Sequence, residues 1–222
     1  GLIGVLPFPF GALPMQAGYL GAFNLIMFAH TILLSVLFVS ISKERLELDQ
    51  RTKAQTDPLT GALNRRAFMS RGERLLARHA HEAAPLCLLF LDIDHFKALN
   101  DRFGHSGGDD VLSKFVTVVH DNIRPTDLLF RIGGEEFCCL LPYTSLSQAA
   151  HAAERIRERI ERTTVDIPGS PEEVTLSIGI ASTECFGYDL DTLMRQADKA
   201  VYDAKRQGRN RVVTAMPPEP PL

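Results

Sequence analysis

Two short acidic motifs carry the residue types best suited to chemistry. Residues 86–91, Leu-Cys-Leu-Leu-Phe-Leu, form an apolar run that leads into Asp92-Ile93-Asp94. Such a run suits a strand covered on both faces, and a period of two sets Asp92 and Asp94 on one face of its end. Carboxylates there are costly unless something neutralises them, and magnesium, which prefers carboxylate and phosphate oxygens, is an economical partner. Acidic strand ends also cap helices, so Asp-x-Asp alone specifies little. The second motif is Gly133-Gly134-Glu135-Glu136-Phe137, whose glycines let a phosphate or a second backbone approach closely. If that turn lies beside the first strand, Asp92 and Glu135 can hold a metal on a triphosphate while Glu136 helps to deprotonate an attacking hydroxyl. A Gly-Gly turn with solvated acids is the plain alternative.

Positioning these acids requires a compact α/β domain, and residues 57–215 have its pattern. Ala67, Phe68, Leu75 and Leu76 give helical spacing over residues 64–81, and Val111, Leu112, Phe115, Val118 and Val119 form the stripe of a second helix. Residues 128–132 and 137–141 bracket the two glycines as antiparallel strands joined by a tight turn. A helix is expected over about 147–162, a strand over 175–181, and a final helix through Leu190, Leu193, Met194, Ala197, Val201 and Ala204, ended by Gly208. Residues 211–214 can close the sheet, and the proline-rich tail, residues 216–222, reads as disordered.

The chain has 222 residues, 45% hydrophobic and 23% charged, with a formal net charge of -3. That allows one ordinary domain plus something smaller, and argues against a sequence-blind binder of nucleic acid polymers, which needs a basic surface. Cys87, Cys138, Cys139 and Cys185 lack metal or disulfide spacing and read as small, mostly buried residues of a reducing compartment. Residues 1–42 contain no Asp, Glu, Lys or Arg, and residues 17–41 are long enough to cross a bilayer as a helix, which takes about 20 apolar residues. Residues 1–14, broken by Pro7, Pro9 and Pro14, read as a loop or the tail of a preceding span. The first residue is Gly1, which suits a fragment or a processed form. Lys43, Arg45, Arg51 and Lys53 mark the cytoplasmic end of the span. Ile41, Leu48 and Gln55 fall on a seven-residue spacing, so residues 43–56 suit a helical stalk or a solvated linker helix.

Taken together, the motifs resemble the GGDEF family of diguanylate cyclases, in its GGEEF form. The pieces are Asp57-Pro58-Leu59-Thr60-Gly61 with Asn64-Arg65-Arg66; Asp92-Ile93-Asp94-His95-Phe96-Lys97 with Asn100-Asp101; Phe103-Gly104-His105 with Gly108-Asp109; Arg131 through Phe137; and Ala204-Lys205 with Gly208-Arg209-Asn210. The resemblance implies an α/β (α+β) palm-like or ferredoxin-like domain, its mostly antiparallel sheet flanked by helices, behind the membrane helix. It implies a magnesium or manganese ion on Asp92, the Ile93 carbonyl and Glu135, with Glu136 at the metal or acting as base. Asn100 and Asp109 would hold guanine, whose adjacent N1 and N2 donors suit a carboxylate while adenine offers no such pair. Lys205 and Arg209 would contact phosphates, helped by backbone amides near Phe96 and Lys97. Each domain would bind one GTP, each 3'-hydroxyl would attack the other nucleotide's α-phosphate, and a homodimer is therefore needed.

Arg124-Pro125-Thr126-Asp127 fits the family's RxxD inhibitory motif, with residues 128–132 before Gly133, and Arg155 is a candidate helper there. Arginine can reach guanine O6 and N7, and aspartate can accept from its other edge; RxxD alone is usually a surface ion pair. The resemblance thus implies an enzyme converting GTP to cyclic di-GMP under product inhibition, and the apolar span with its basic flank places it in the inner membrane with the catalytic domain in the cytoplasm. A catalytically silent cyclic di-GMP receptor is the rival reading.

Overall fold

A computed structural model describes residues 17–53, 55–167 and 170–217. By its contacts the chain divides into two units, Gly1–Ala54 and Gln55–Leu222. The described part of the first unit is one helix, α1 (Ala17–Lys53), which runs on past Ile41 through most of the expected linker. Its stretch Leu25–Lys43 is long and apolar enough to cross a membrane, and Leu25, Phe28, Leu33, Phe38 and Val39 are exposed on it. The expected loop over residues 1–14 and the tail over 218–222 lie outside the described residues.

The second unit is a mixed α/β fold. It runs β1 (Leu63–Asn64), α2 (Arg65–Glu82), β2 (Leu86–Ile93), α3 (Phe96–Asp121), β3 (Leu128–Arg131), β4 (Glu136–Pro142), α4 (Leu146–Glu161), β5 (Thr164–Ile167), β6 (Ser170–Glu173), β7 (Leu176–Ser182), α5 (Thr183–Phe186), α6 (Leu190–Arg206) and β8 (Val212–Thr214). The main sheet has the order β1-β3-β4-β2-β7-β8, antiparallel at its centre with parallel pairs β1 with β3 and β7 with β8 at its edges, while β5 and β6 form a separate hairpin.

Period two in β2 explains the layering. Every residue of β2 is buried; Cys87, Leu89, Leu91 and Ile93 join a core with Val111, Phe115, Ala153 and Ile156 of α3 and α4, whereas Leu86, Leu88 and Phe90 join Phe68, Leu76, Leu193 and Val201 of α2 and α6. Each fully buried Leu, Ile or Phe contributes roughly 1.5–3 kcal/mol relative to exposure. Even-numbered Asp92 therefore leaves β2 on the α6 side of the sheet. Gly179 of β7 lies opposite Phe90 on that same side. An added Cβ there would collide with Ala197 O of α6 and stand 2.7 Å from Val201 N, so the bare backbone is what seats α6 on the sheet.

Local chemistry sets the element ends. Asn64 caps α2 by accepting from Ala67 N at 3.0 Å, and Ser145 with Gln148 forms a capping box on α4. Helix α3 begins at Phe96, well before the stripe at Val111–Val119, and its halves meet at Gly104, whose φ of 73° interrupts helical geometry. The expected tight turn at the two glycines is present as a four-residue connection, residues 132–135, one residue earlier than expected, with Ile132 N and Gly133 N both donating to Glu136 O.

Candidate active site at the end of the central strand

The final turn of the hairpin β3–β4 does lie beside the Asp92 strand. Asp92 is the register partner of Glu136 on β4 and of Ser177 on β7, and Ile93 N donates to Glu135 O at 3.4 Å. Burial pushes the Asp92 carboxyl above its ordinary range; Lys205 pulls it down, and the charges of Glu135 and Glu136 push it up again. Lys205 Nζ sits 2.7 Å from Asp92 Oδ2, brought there by the last turn of α6. A nearly buried carboxylate with two further acids around it and one ammonium in contact is a set of hard oxygen donors with surplus negative charge, which fits a divalent cation. Among the described residues, three of His, Cys, Asp and Glu do not converge to metal-binding distance.

Neither Gly133 nor Gly134 has a positive φ, so backbone freedom is not what calls for glycine here. A Cβ on Gly133 would lie 2.6 Å from Glu136 Oε2, so the Glu136 carboxylate folds over that glycine, while Gly134 faces open space. The turn is tied down by Arg131. Its Nη2 donates to Gly134 O at 2.8 Å and its Nη1 to Asp57 Oδ1 at 3.0 Å, and Asp57 also accepts from Thr60 N at 2.9 Å and Thr60 Oγ1 at 2.7 Å. Burial raises the Asp57 carboxyl, but the bonds from Thr60 and Arg131 outweigh it and hold the group below its usual range. Residues 57–61 and Arg131 are thus the brace of the turn, a role the sequence motif alone did not reveal.

Asp94 departs from the metal reading drawn from Asp-x-Asp. It accepts from Ser177 Oγ at 2.7 Å, Thr175 Oγ1 at 2.9 Å and Asn210 N at 3.1 Å, which commits its oxygens to structure. Beyond it, His95 precedes α3 as its N-cap residue, in the left-handed region and without a side-chain hydrogen bond, leaving the amides of Phe96 and Lys97 uncapped by it at a helix N-terminus. Asn100 sits against Gly108, where a Cβ would collide with Asn100 Oδ1 and stand 3.1 Å from Phe96 Cζ. The kink at Gly104 thereby brings Asn100 next to the segment of exposed Asp109. Asn100 Oδ1 is buried without a hydrogen-bond partner, an acceptor lacking its donor. Arg209 is exposed, in the left-handed region at φ 62°.

Arg124 and Asp127 lie at the other end of β3, roughly 13 Å from the turn at about 3.3 Å per strand residue. Asp127 Oδ2 accepts from Arg124 N at 2.8 Å, while Asp127 Oδ1 is buried and unpartnered. Burial pushes the Asp127 carboxyl up against the opposing pull of Arg124 and, from α4, of Arg155. Arg155 is anchored to Asn122 O at 2.8 Å, so the three expected residues do share one neighbourhood.

Comparison with known proteins agrees with this architecture. Residues 54–211 match the family described as "Diguanylate cyclase, GGDEF domain". The chain is 43% identical over 162 residues to the probable diguanylate cyclase DgcT of Escherichia coli K12, covering 72% of this chain and 35% of that protein. It is 44% identical over 168 residues to the diguanylate cyclase DgcP of Pseudomonas aeruginosa, covering 75% of this chain and 25% of that protein. Among solved structures, the GGDEF domain of DgcB from Caulobacter crescentus in complex with c-di-GMP is 35% identical with a TM-score of 0.69, covering 73% of this chain and 94% of that one. The active GGEEF domain of a diguanylate cyclase from Vibrio cholerae is 34% identical with a TM-score of 0.66, covering 70% and 98%. With its braced acidic turn beside a buried strand end, and with a family match spanning most of its length, the chain belongs to the GGDEF diguanylate cyclase domain family.

Proposed function

We propose that the chain condenses two GTP into cyclic di-GMP and two pyrophosphates. The observation that carries this reading is the concentration of carboxylate at the end of β2, where buried Asp92 faces Glu136, feels the charge of Glu135, and touches the ammonium of Lys205. Asp92, the Ile93 carbonyl, Glu135 and Glu136 are the groups that would hold magnesium, or manganese in its place. When bound, the ion offsets the triphosphate charge and polarises the α-phosphate. Glu136, folded over Gly133, takes the proton of the 3'-hydroxyl as the new oxygen–phosphorus bond forms and the bond to pyrophosphate breaks. Lys205 and Arg209 offset phosphate charge, and the amides of Phe96 and Lys97 add donors. The unpartnered Asn100 Oδ1 and the Asp109 carboxylate accept from the guanine edge, which selects against adenine.

Since one nucleotide's hydroxyl attacks the other nucleotide, two copies of the domain face each other during turnover. Helix α1 anchors the chain in the inner membrane with the catalytic unit on the cytoplasmic side, and the stalk over residues 43–56 favours pairing by raising effective concentration. Arg124, Asp127 and Arg155 bind the product and inhibit; the lone Asp127 Oδ1 acceptor supports a guanine there.

The test is incubation of the detergent-solubilised chain with magnesium and GTP, followed by chromatographic identification of products. Cyclic di-GMP and pyrophosphate are expected. Binding of cyclic di-GMP with no turnover would replace this reading by a silent receptor. Glu136→Gln should lose turnover and keep the fold, and Arg124→Ala should relieve product inhibition; inhibition unchanged in that variant would remove Arg124 from the inhibitory site.

A further inference from the structure

The loop after α6 holds three successive residues at positive φ, and the middle one, Arg209, is of a type that does not favour it. Gly208, Arg209 and Asn210 all have positive φ, at 114°, 62° and 45°. Glycine adopts this region freely and asparagine visits it readily, but an arginine does so only when its surroundings over-determine the conformation. The surroundings here are specific. Asn210 N donates to Asp94 Oδ2 at 3.1 Å, Asn210 Nδ2 donates to Glu161 Oε1 at 2.6 Å, and Asn210 Oδ1 accepts from Arg157 Nη1 at 2.8 Å. Asp94 is itself fixed by Thr175 and Ser177, and Arg157 by Glu154 and Glu161. Arg209 N donates to Ala204 O at 3.0 Å, closing the end of α6 one residue from Lys205. The Arg209 side chain, by contrast, is exposed and engaged by none of the described residues.

We propose that Asp94, Asn210 and the Arg157–Glu161 pair form a clamp whose purpose is to present Arg209, and with it Lys205, to the phosphates of the nucleotide. The inference rests on the proposed function for the identity of that ligand. Asn210 is a positioning residue: it supplies every side-chain hydrogen-bonding group it has to hold the loop, and it leaves the neighbouring guanidinium free. The strained backbone is kept because it aims Arg209, and α4 enters the phosphate site through Arg157 without touching the substrate.

The discriminating variant is Asn210→Gly, because glycine accepts φ of 45° without strain while deleting the bonds to Arg157 and Glu161. Inorganic tripolyphosphate and guanosine, titrated separately against the detergent-solubilised chain by calorimetry, read the phosphate and base ends of the site independently. Tripolyphosphate affinity should fall about tenfold, the loss of one charge-assisted hydrogen bond, while guanosine affinity and the melting temperature stay near those of the parent. Arg157→Met, which removes the clamp from the α4 side, should lower tripolyphosphate affinity in the same way, and Asn210→Asp, which keeps the acceptor for Arg157, should fall between parent and glycine variant. Unchanged tripolyphosphate affinity in Asn210→Gly, or an equal loss for both ligands with a lower melting temperature, overturns the clamp. If the parent makes no cyclic di-GMP but the phosphate-selective loss is seen, the proposed function fails while the clamp stands.

Discussion

Replacing Gly179 by alanine tests how α6 is held on the sheet, and therefore how Lys205 reaches Asp92. The new Cβ would collide with Ala197 O and lie 2.7 Å from Val201 N and 3.0 Å from Ala197 C, all backbone atoms that cannot rotate away. Relief requires lifting the middle of α6 off β7, which loosens Leu193, Ala197, Val201 and Ala204, all buried in the present packing. Overpacking of this kind costs typically up to about 3 kcal/mol, which for a domain of this size lowers the melting temperature by about 6–12 °C. The same shift draws the ammonium of Lys205 away from Asp92, now 2.7 Å away, so nucleotide affinity should fall with stability. Gly72→Ala is the control: its Cβ meets the methyl carbons of Leu190 at 2.9 and 3.1 Å, the flexible end of a side chain, and alanine gains about 1 kcal/mol of helix propensity. Thermal melts of the detergent-solubilised chain followed by circular dichroism decide the matter. A Gly179→Ala protein melting with the parent, or a Gly72→Ala protein destabilised as much, would refute the reasoning.

Other expectations follow from the braced turn and the acidic cluster. Asp57→Asn should cost about 1–3 kcal/mol by weakening a partly buried charge-assisted bond to Arg131. Because the folded Asp57 pKa lies below its unfolded value, its contribution is present above the ordinary carboxylate range and is lost as pH falls through the folded pKa; acid melts in which the variant and parent differ equally at every pH would contradict this. Asp92 has the opposite sign: its raised pKa means that ionisation in the fold is a penalty, so Asp92→Asn should melt above the parent at neutral pH and converge with it as the parent's carboxyl is protonated, although turnover is lost. A lower melting point at neutral pH would exclude that penalty. Gly133→Ala should displace the Glu136 carboxylate and reduce turnover on the order of a hundredfold, the cost of roughly 1 Å of misplacement. Gly134→Ala, with open space around it, should fold with unchanged stability, as a melt would verify.

The continuous apolar run of residues 86–91, the apolar stripes of the helices and the strands bracketing the two glycines were sufficient to read most elements in chain order, whereas the sheet type came from the family resemblance and the meeting of Asp92 with the glycine turn was only a condition of the chemistry. What escaped the sequence did so for physical reasons. Strand β1 is two residues long and is held by a parallel partner in β3 and a bridge from Leu63 to Thr56. The β5–β6 hairpin carries a polar, proline-containing strand with no apolar alternation. Helix α3 was placed too late, because its first half takes its start from the left-handed His95 and its kink from Gly104 rather than from a stripe. At the site, Asp92 and Asp94 look equivalent in sequence, and only partners distant along the chain, Thr175, Ser177 and Asn210 for Asp94 and Lys205 for Asp92, separate the structural acid from the one in the acidic cluster. The roles of Arg131 with Asp57, and of Asn210 with Arg157, depend likewise on partners that no local pattern joins.

Asp92 belongs to a residue paired on both sides, with Glu136 across one ladder and Ser177 across the other. Backbone in that position opens only when the sheet itself opens, so its exchange with solvent deuterium should be among the slowest in the chain. A carboxylate rooted there has almost no adjustable position. On the proposed mechanism, control of output therefore falls to how often two such prebuilt halves meet and to whether product occupies the neighbourhood of Arg124 and Asp127, and not to movement of the acid itself.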